Sequence, residues 1–188
     1  MPRVTIIATG IVSPKNRERH GSYPQMFERM IRAAHDKQVP MVGVCFGHQL
    51  IAQALGGAVR KSEKGFGLGR HVYEVAPDNG LIDGPQIALA CSHQDQVIRP
   101  PEGARTILSS DFTPHAGLLY GGTTLSVQAH PEFTVGFALA CCEMVRSTGG
   151  APESVIAAAE TSLAKQLESA RMGDALTRFL TGVPYSRA

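Results

Sequence analysis

No stretch of this chain approaches the ~20 consecutive apolar residues that span a bilayer, so no membrane partner is expected. A concentrated basic stripe is missing too. The formal net charge is +2 and the seven histidines are scattered, which argues against nucleic acid as a partner. The four cysteines (Cys45, Cys91, Cys141 and Cys142) form no CxxC pair and are too sparse for a secreted disulfide framework. That usage fits a reduced, cytoplasmic compartment. Neither HExxH nor a Cys/His ligand spacing occurs, so no metal and no cofactor are expected. There is no internal repeat and no low-complexity linker. Near the start, Arg3 precedes the apolar run 4–12, but Thr5, Thr9 and Gly10 interrupt it and no small-residue cleavage site follows. It reads as a strand rather than a signal peptide.

What remains is an ordinary globular composition, 43% hydrophobic and 18% charged over 188 residues. That length suits one domain, 1–188, with one core and one active site. The β-branched run 4–9 reads as a buried parallel strand ending at Gly10. After a polar stretch at 13–22, residues 23–38 carry Met26, Phe27, Met30, Ile31 and Ala34 at three- and four-residue spacings, the mark of a helix with one apolar face. Pro40 closes it. Residues 40–45 form a second short strand that turns through Phe46 and Gly47 into a helix over 48–55, capped by Gly56 and Gly57. Short extended segments at 58–62, 70–76, 87–93 and 104–110 alternate with turn clusters. Segments 118–120 and 124–129, split by Gly121 and Gly122, read as a hairpin. From Glu132 onward the chain is mainly helical, with alanine-rich segments around 157–170 and an amphipathic piece at 174–180. The expected fold class is α/β, a mixed, mainly parallel, flavodoxin-like sheet flanked by helices in three layers, with reactive groups at the carboxyl ends of strands.

Two strings carry chemistry. In Gly43-Val44-Cys45-Phe46-Gly47-His48-Gln49, a small residue two before and two after the cysteine suits a tight strand-to-helix elbow, where a Cβ is expected to meet neighbouring backbone. Cys45 at the start of a helix has the unpaired N–H groups and the helix dipole on its side, both of which favour a thiolate. The Phe46 N–H can face an oxyanion. The plainer alternative is a buried cysteine in a glycine-rich turn. The second string, His130-Pro131-Glu132, follows an apolar strand, and Pro131 keeps His130 out of the helical region. Residues two apart in extended backbone point to the same side. Glu132 can then hold one imidazole nitrogen while the other serves the thiol, a nucleophile, base and orienter set. Read blandly, His130 is a strand-end residue and Glu132 a helix N-terminal acid.

The GxCxGxQ and HPE strings resemble the two signatures of class I (triad) glutamine amidotransferases. Cys91-Ser92-His93-Gln94-Asp95-Gln96-Val97 is similar to the SHxDxV segment of GMP-synthase-like members. The resemblance runs from about Pro40 to the C-terminus. It implies a glutaminase in which Cys45 forms a γ-glutamyl thioester and releases ammonia, with Cys45, His130 and Glu132 catalytic. Phe46 would line the oxyanion hole, and Gln49, Ser92 and His93 the substrate pocket; the last two, with Asp95, also read as hydrogen-bonded loop ends. No Walker-type glycine loop is present, so any synthetase subunit that accepts the ammonia must be a separate chain. Stand-alone γ-glutamyl peptidases or hydrolases differ only in pocket width, and a non-catalytic interaction protein on the same fold is a further class. A third borrows the elbow from other cysteine hydrolases or chaperone-like α/β proteins, which lack the HPE string.

The sequence departs from the family at one place. Members carry a Gly-Ser-Pro or Gly-Gly-Pro loop before the elbow, which supplies a second oxyanion N–H, and none lies between Tyr23 and Pro40. Thr9-Gly10-Ile11-Val12-Ser13-Pro14 is one match for it. The favoured account is that His20-Gly21-Ser22-Tyr23-Pro24-Gln25-Met26-Phe27 resembles the HGxYPxMF segment that precedes the loop. The join then falls near Met30 to Arg32.

Overall fold

The computed structural model describes residues 23–182. The expected strand at 4–9, the polar stretch 13–22 and His20 to Ser22 lie outside them. The described residues form five helices and eight strands in the order α1 (Tyr23–Asp36), β1 (Met41–Val44), α2 (Phe46–Ala54), β2 (Ala58–Lys61), β3 (Gly67–Val75), β4 (Gln86–His93), β5 (Asp95–Arg99), β6 (Ala104–Ser109), β7 (Gly117–Tyr120), β8 (Thr124–Val127), α3 (Val135–Ser147), α4 (Glu153–Ser162) and α5 (Ser169–Thr181). No described helix is long and apolar enough to cross a membrane.

Six strands form one sheet in the order β1-β8-β7-β6-β3-β4, and β2 pairs with β5 in a separate two-stranded sheet. The sheet is mixed, as expected, but among the described residues the parallel share is small. Only β1 and β8 run parallel; the β3–β4, β3–β6, β6–β7 and β7–β8 pairs are antiparallel. The connections explain this. Strands joined by a few residues can only fold back on themselves, whereas the parallel β1–β8 pair is separated by the whole middle of the chain.

Side-chain alternation sorts the core onto the faces of the sheet. Leu125 and Val127 of β8, Ile87 and Leu89 of β4, and Tyr73 and Val75 of β3 pack with Met172 and Ala175 of α5. On β7, Leu118 joins the cluster of Ile31 from α1 and Ile51, Ala52 and Ala54 from α2, while its neighbour Leu119 packs against the α5 side. Leu68 of β3 and Ala90 of β4 meet α3 and α4 through Ala138, Cys142, Val145, Ile156 and Ala159. Each fully buried Leu or Ile in these clusters contributes ~1.5–3 kcal/mol through removal of apolar surface from water. Helices on both faces of the sheet give the expected layers.

β8 also carries the contacts that seat α2. Its inward Ser126 hydrogen-bonds His48 Nδ1 at 2.7 Å and the Tyr120 hydroxyl at 3.2 Å. His48 is fully buried, and burial pushes it down to about 3, so it stays neutral beneath the helix.

Candidate active site

The parallel β1–β8 pair sets the site. Register runs Met41↔Thr124 to Val44↔Val127, so both strands end at the same level and the residues that follow emerge side by side. Cys45 continues that ladder, its N–H donating to the Val127 carbonyl at 2.8 Å. The chain then turns abruptly: Cys45 has φ 50° and ψ −103°, and α2 starts at the next residue. A non-glycine residue there stores roughly 1–3 kcal/mol of strain, a cost typical of functional positions. The turn is tight enough that a Cβ on Gly43 would lie 2.7 Å from the Gly47 carbonyl group and from Ile51 Cδ1. Gly47 differs from expectation, since a Cβ on it would meet nothing within 4 Å. The backbone of the elbow therefore demands glycine on its strand side only.

Cys45 caps α2 without spending its side chain on a cap hydrogen bond, which leaves the sulfur for other partners. The first N–H groups of a helix have no intrahelical acceptor. The N–H of Phe46, first residue of α2, is one of these. The Phe46 side chain is 51% exposed.

His130 arrives from β8 and is pinned at once. Its N–H donates to the Ala90 carbonyl at 2.9 Å, forming an isolated antiparallel bridge to β4. Its ring Nδ1 donates to Glu132 Oε1 at 2.6 Å, with the imidazole 15% and the carboxylate 55% exposed. Because a carboxylate only accepts, Nδ1 carries the hydrogen and Nε2 is left for the Cys45 sulfur, whose influence favours the protonated ring. Phe133 stacks on the imidazole with centroids 3.9 Å apart and planes 13° from parallel, and Phe137 meets Phe133 edge-on at 4.6 Å. Burial pulls the imidazole down, but the Cys45 hydrogen bond and Glu132 outweigh it and push His130 up to about 9. For Glu132, burial works upward, yet the hydrogen bond from His130 wins and holds its carboxyl below the ordinary value. Each partner stabilises the charged form of the other.

Of the residues expected around the substrate, Gln49 and His93 converge on one atom. Gln49 Nε2 donates to the Asp95 carbonyl at 2.7 Å, and His93 Nδ1 donates to the same oxygen at 3.1 Å. Both side chains are buried, and burial pushes His93 down to about 4. Ser92 is half-buried on β4; its influence lowers the Cys141 thiol of α3, which burial pushes up more strongly. The segment 95–99, not among the extended segments expected from the sequence, is strand β5. Sequence reasoning missed Gln128. It is 0% exposed and sits between the nucleophile and Gln49, 3.5 Å from Cys45 Sγ and 3.2 Å from Gln49 Nε2. A lone amide between Val127 and Ala129 in an apolar strand was the available signal.

The join expected near Met30 to Arg32 falls inside α1, which is continuous from Tyr23 to Asp36. β1 follows after a short turn closed by Val39 N–H donating to the Ala34 carbonyl at 2.9 Å. No loop stands before the elbow among the described residues.

Comparisons with known proteins agree with this geometry. Over 98 residues the chain is 39% identical to one subunit of the glutamine-hydrolysing GMP synthase of Sulfolobus acidocaldarius, covering 50% of this chain and 51% of that protein. Over 101 residues it is 31% identical to γ-glutamyl peptidase 3 of Arabidopsis thaliana, covering 50% and 41%. The chain thus spans about half the length of the curated relatives it matches. In fold it is similar to a glutamine amidotransferase of Methylobacillus flagellatus (TM-score 0.68, 19% identity, 87% of this chain and 71% of that one). A second such structure, from Thermotoga maritima, gives a TM-score of 0.66 at 19% identity over 91% and 75%. The family model for class-I glutamine amidotransferases matches residues 2–138, a span that takes in the elbow and the HPE string. With a cysteine elbow and a histidine–glutamate pair meeting at the ends of neighbouring parallel strands, this chain belongs to the class-I glutamine amidotransferase family.

Proposed function

We propose that this chain is a cysteine-dependent amidohydrolase that opens the γ-amide of glutamine, or of a related γ-glutamyl compound, through a thioester on Cys45. The observation that carries the reading is the set Cys45, His130 and Glu132 at the ends of the paired strands β1 and β8, with the imidazole hydrogen-bonded to the carboxylate and held protonated by both neighbours. The thiolate sulfur attacks the γ-carbonyl carbon, and the carbonyl electron pair moves onto oxygen, where the Phe46 N–H stabilises it. When the oxyanion collapses, the C–N bond breaks and the His130 imidazolium gives its proton to the departing amine or ammonia. His130, now neutral, takes a proton from water as the water attacks the thioester carbon, and the Cys45–carbonyl bond breaks to release the γ-carboxylate. Glu132 holds the imidazole in the productive tautomer throughout. Gln49 and the segment at Ser92 and His93 border the γ-glutamyl group in this reading.

Ammonia leaves for water or for a synthetase on a separate chain; similarity to a GMP synthase subunit supports the latter. Similarity to γ-glutamyl peptidases supports a second reading, hydrolysis of γ-glutamyl peptides without an acceptor. Should no segment outside the described residues supply a second oxyanion donor, the Phe46 N–H acts alone, and a loss of about 10²- to 10³-fold in turnover is expected.

Incubation with a glutamine-mimicking diazoketone or chloroketone, followed by peptide mass mapping, tests the proposal. One adduct, on Cys45, is the expected result, and Cys45→Ala should lose both adduct and glutaminase activity while keeping its fold. A folded sample that takes up no reagent at neutral pH supports the non-catalytic alternative. Comparing release of ammonia from glutamine with cleavage of a γ-glutamyl dipeptide separates the two enzymatic readings.

A further inference from the structure

The hydrogen bonds behind Cys45 run in one direction, and an atom that cannot donate sets it. The Asp95 backbone carbonyl only accepts. Gln49 reaches it at 2.7 Å, so Gln49 must present its NH₂ end there rather than its oxygen. The second hydrogen of that NH₂ points at Gln128, 3.2 Å away, so Gln128 must answer with its oxygen. Its own NH₂ end is thereby turned to Cys45 Sγ at 3.5 Å. His93 reinforces the anchor by donating to the same carbonyl at 3.1 Å. Gln128 and Gln49 are both buried, so bulk water cannot readily take over either amide's bonds.

From this geometry we propose that Gln128 is a further residue of the catalytic machinery, giving Cys45 a second N–H donor whose direction is imposed by the Asp95 carbonyl through Gln49. The inference rests on Cys45 being the nucleophile. It adds to the triad a fixed amide dipole that favours the thiolate over the thiol and restrains the sulfur on the elbow. Donation to a charged sulfur from a buried amide is stronger than donation to a neutral one, so the contact stabilises the anion selectively. It also gives Gln49 a part to play behind the nucleophile, through the two hydrogens of its amide.

The rate of Cys45 alkylation by iodoacetamide, followed by peptide mass mapping from pH 5 to 10, reads the effect directly. Gln128→Met keeps the length of the side chain and removes the donor. Its alkylation midpoint should rise by about one pH unit, with a roughly tenfold slower reaction at neutral pH. Gln49→Met leaves Gln128 in place but frees it to turn, and should move the midpoint the same way by less. Midpoints unchanged in both variants overturn the role of Gln128 and leave the triad standing. If a folded wild-type sample takes up no glutamine-mimicking chloroketone on Cys45, the nucleophile assignment fails and this inference with it. Should Gln128→Met not fold, Gln49→Met decides alone, and an unshifted profile there overturns the proposal.

Discussion

His130 responds to pH through three opposed influences, and their signs fix what Glu132 does. Burial disfavours the imidazolium, while the Cys45 contact and Glu132 favour it and carry the group from 6.5 to about 9. A histidine raised on folding stabilises the folded chain fully below its unfolded value, and that contribution fades as pH rises through the folded one. Glu132 is lowered on folding from 4.5, so its share is present above that value and is lost as acid protonates it. The pair therefore stabilises most between the carboxylate range and about pH 6.5, and its contribution fades from there to about pH 9. Glu132→Gln should melt below the wild type from mildly acidic to neutral pH, with the gap closing as pH rises through about 9 and again in acid below the ordinary carboxylate value. Its glutaminase kcat should fall by about tenfold or more; wild-type turnover would remove Glu132 from the mechanism. These three residues were legible because each lies in a short string whose local geometry is self-contained. Gln128 was not, since its value depends on which residues of α2 and β5 come to lie beside β8.

At the scale of elements, the elbow works because β1 and α2 are almost in contact. A methyl group on Gly43 has nowhere to go: backbone of Gly47 and the tip of Ile51 stand 2.7 Å from where it would sit. Ile51 can shift, but the Gly47 backbone cannot move without tilting the first turn of α2. Gly43→Ala should cost about 1–3 kcal/mol in urea unfolding. It should also lower the rate of Cys45 alkylation, because the strain falls on the turn that presents the sulfur. Equal stability and equal alkylation would show the elbow to be more compliant than its geometry implies. The sequence placed this strand-turn-helix unit within a residue or two, as it did α1 and the β7–β8 hairpin, because apolar period and turn residues agree there. It missed β5 because Asp95 and Gln96 break the apolar pattern, and β5 pairs only with β2. It began α5 late: the helix starts at Ser169, and the buried Met172 in its first turn was not counted among the apolar positions at 174–180. Met172 packs against the sheet, and Ala170, Arg171 and Met172 also favour a helix on their own, so that first turn joins it.

Across the whole molecule, a mixed sheet and the antiparallel β7–β8 hairpin were foreseen, while the extent of antiparallel pairing through β3, β4 and β6 was not. Strand direction in the middle of the chain depends on which segments pair, and alternating short strands do not declare their partners. The same pairing leaves β4 at the end of the sheet order, with an open edge of backbone polar groups that would invite association. Two residues from distant parts of the chain close it. Glu168 donates its N–H to the Ala88 carbonyl at 2.8 Å and accepts the Ala88 N–H through Oε2 at 2.8 Å. Two residues along, the Ala90 carbonyl takes the N–H of His130 at 2.9 Å. One edge thus serves both solubility and the position of the base. Glu168→Ala strips the acceptor from Ala88 N–H and one partner from Arg171, which keeps the carbonyls of Asp83 and Gln86. An unpaired N–H at a half-closed edge costs about 1–3 kcal/mol, so the urea midpoint should fall and aggregation on warming should increase. Catalysis should suffer much less, because the Ala90–His130 bridge is made by backbone and remains. A Glu168→Ala protein of wild-type stability would mean that water replaces the carboxylate at no cost, and the closed edge would then rest on the His130 bridge, the Glu168 backbone and the Arg171 bond to the Gln86 carbonyl.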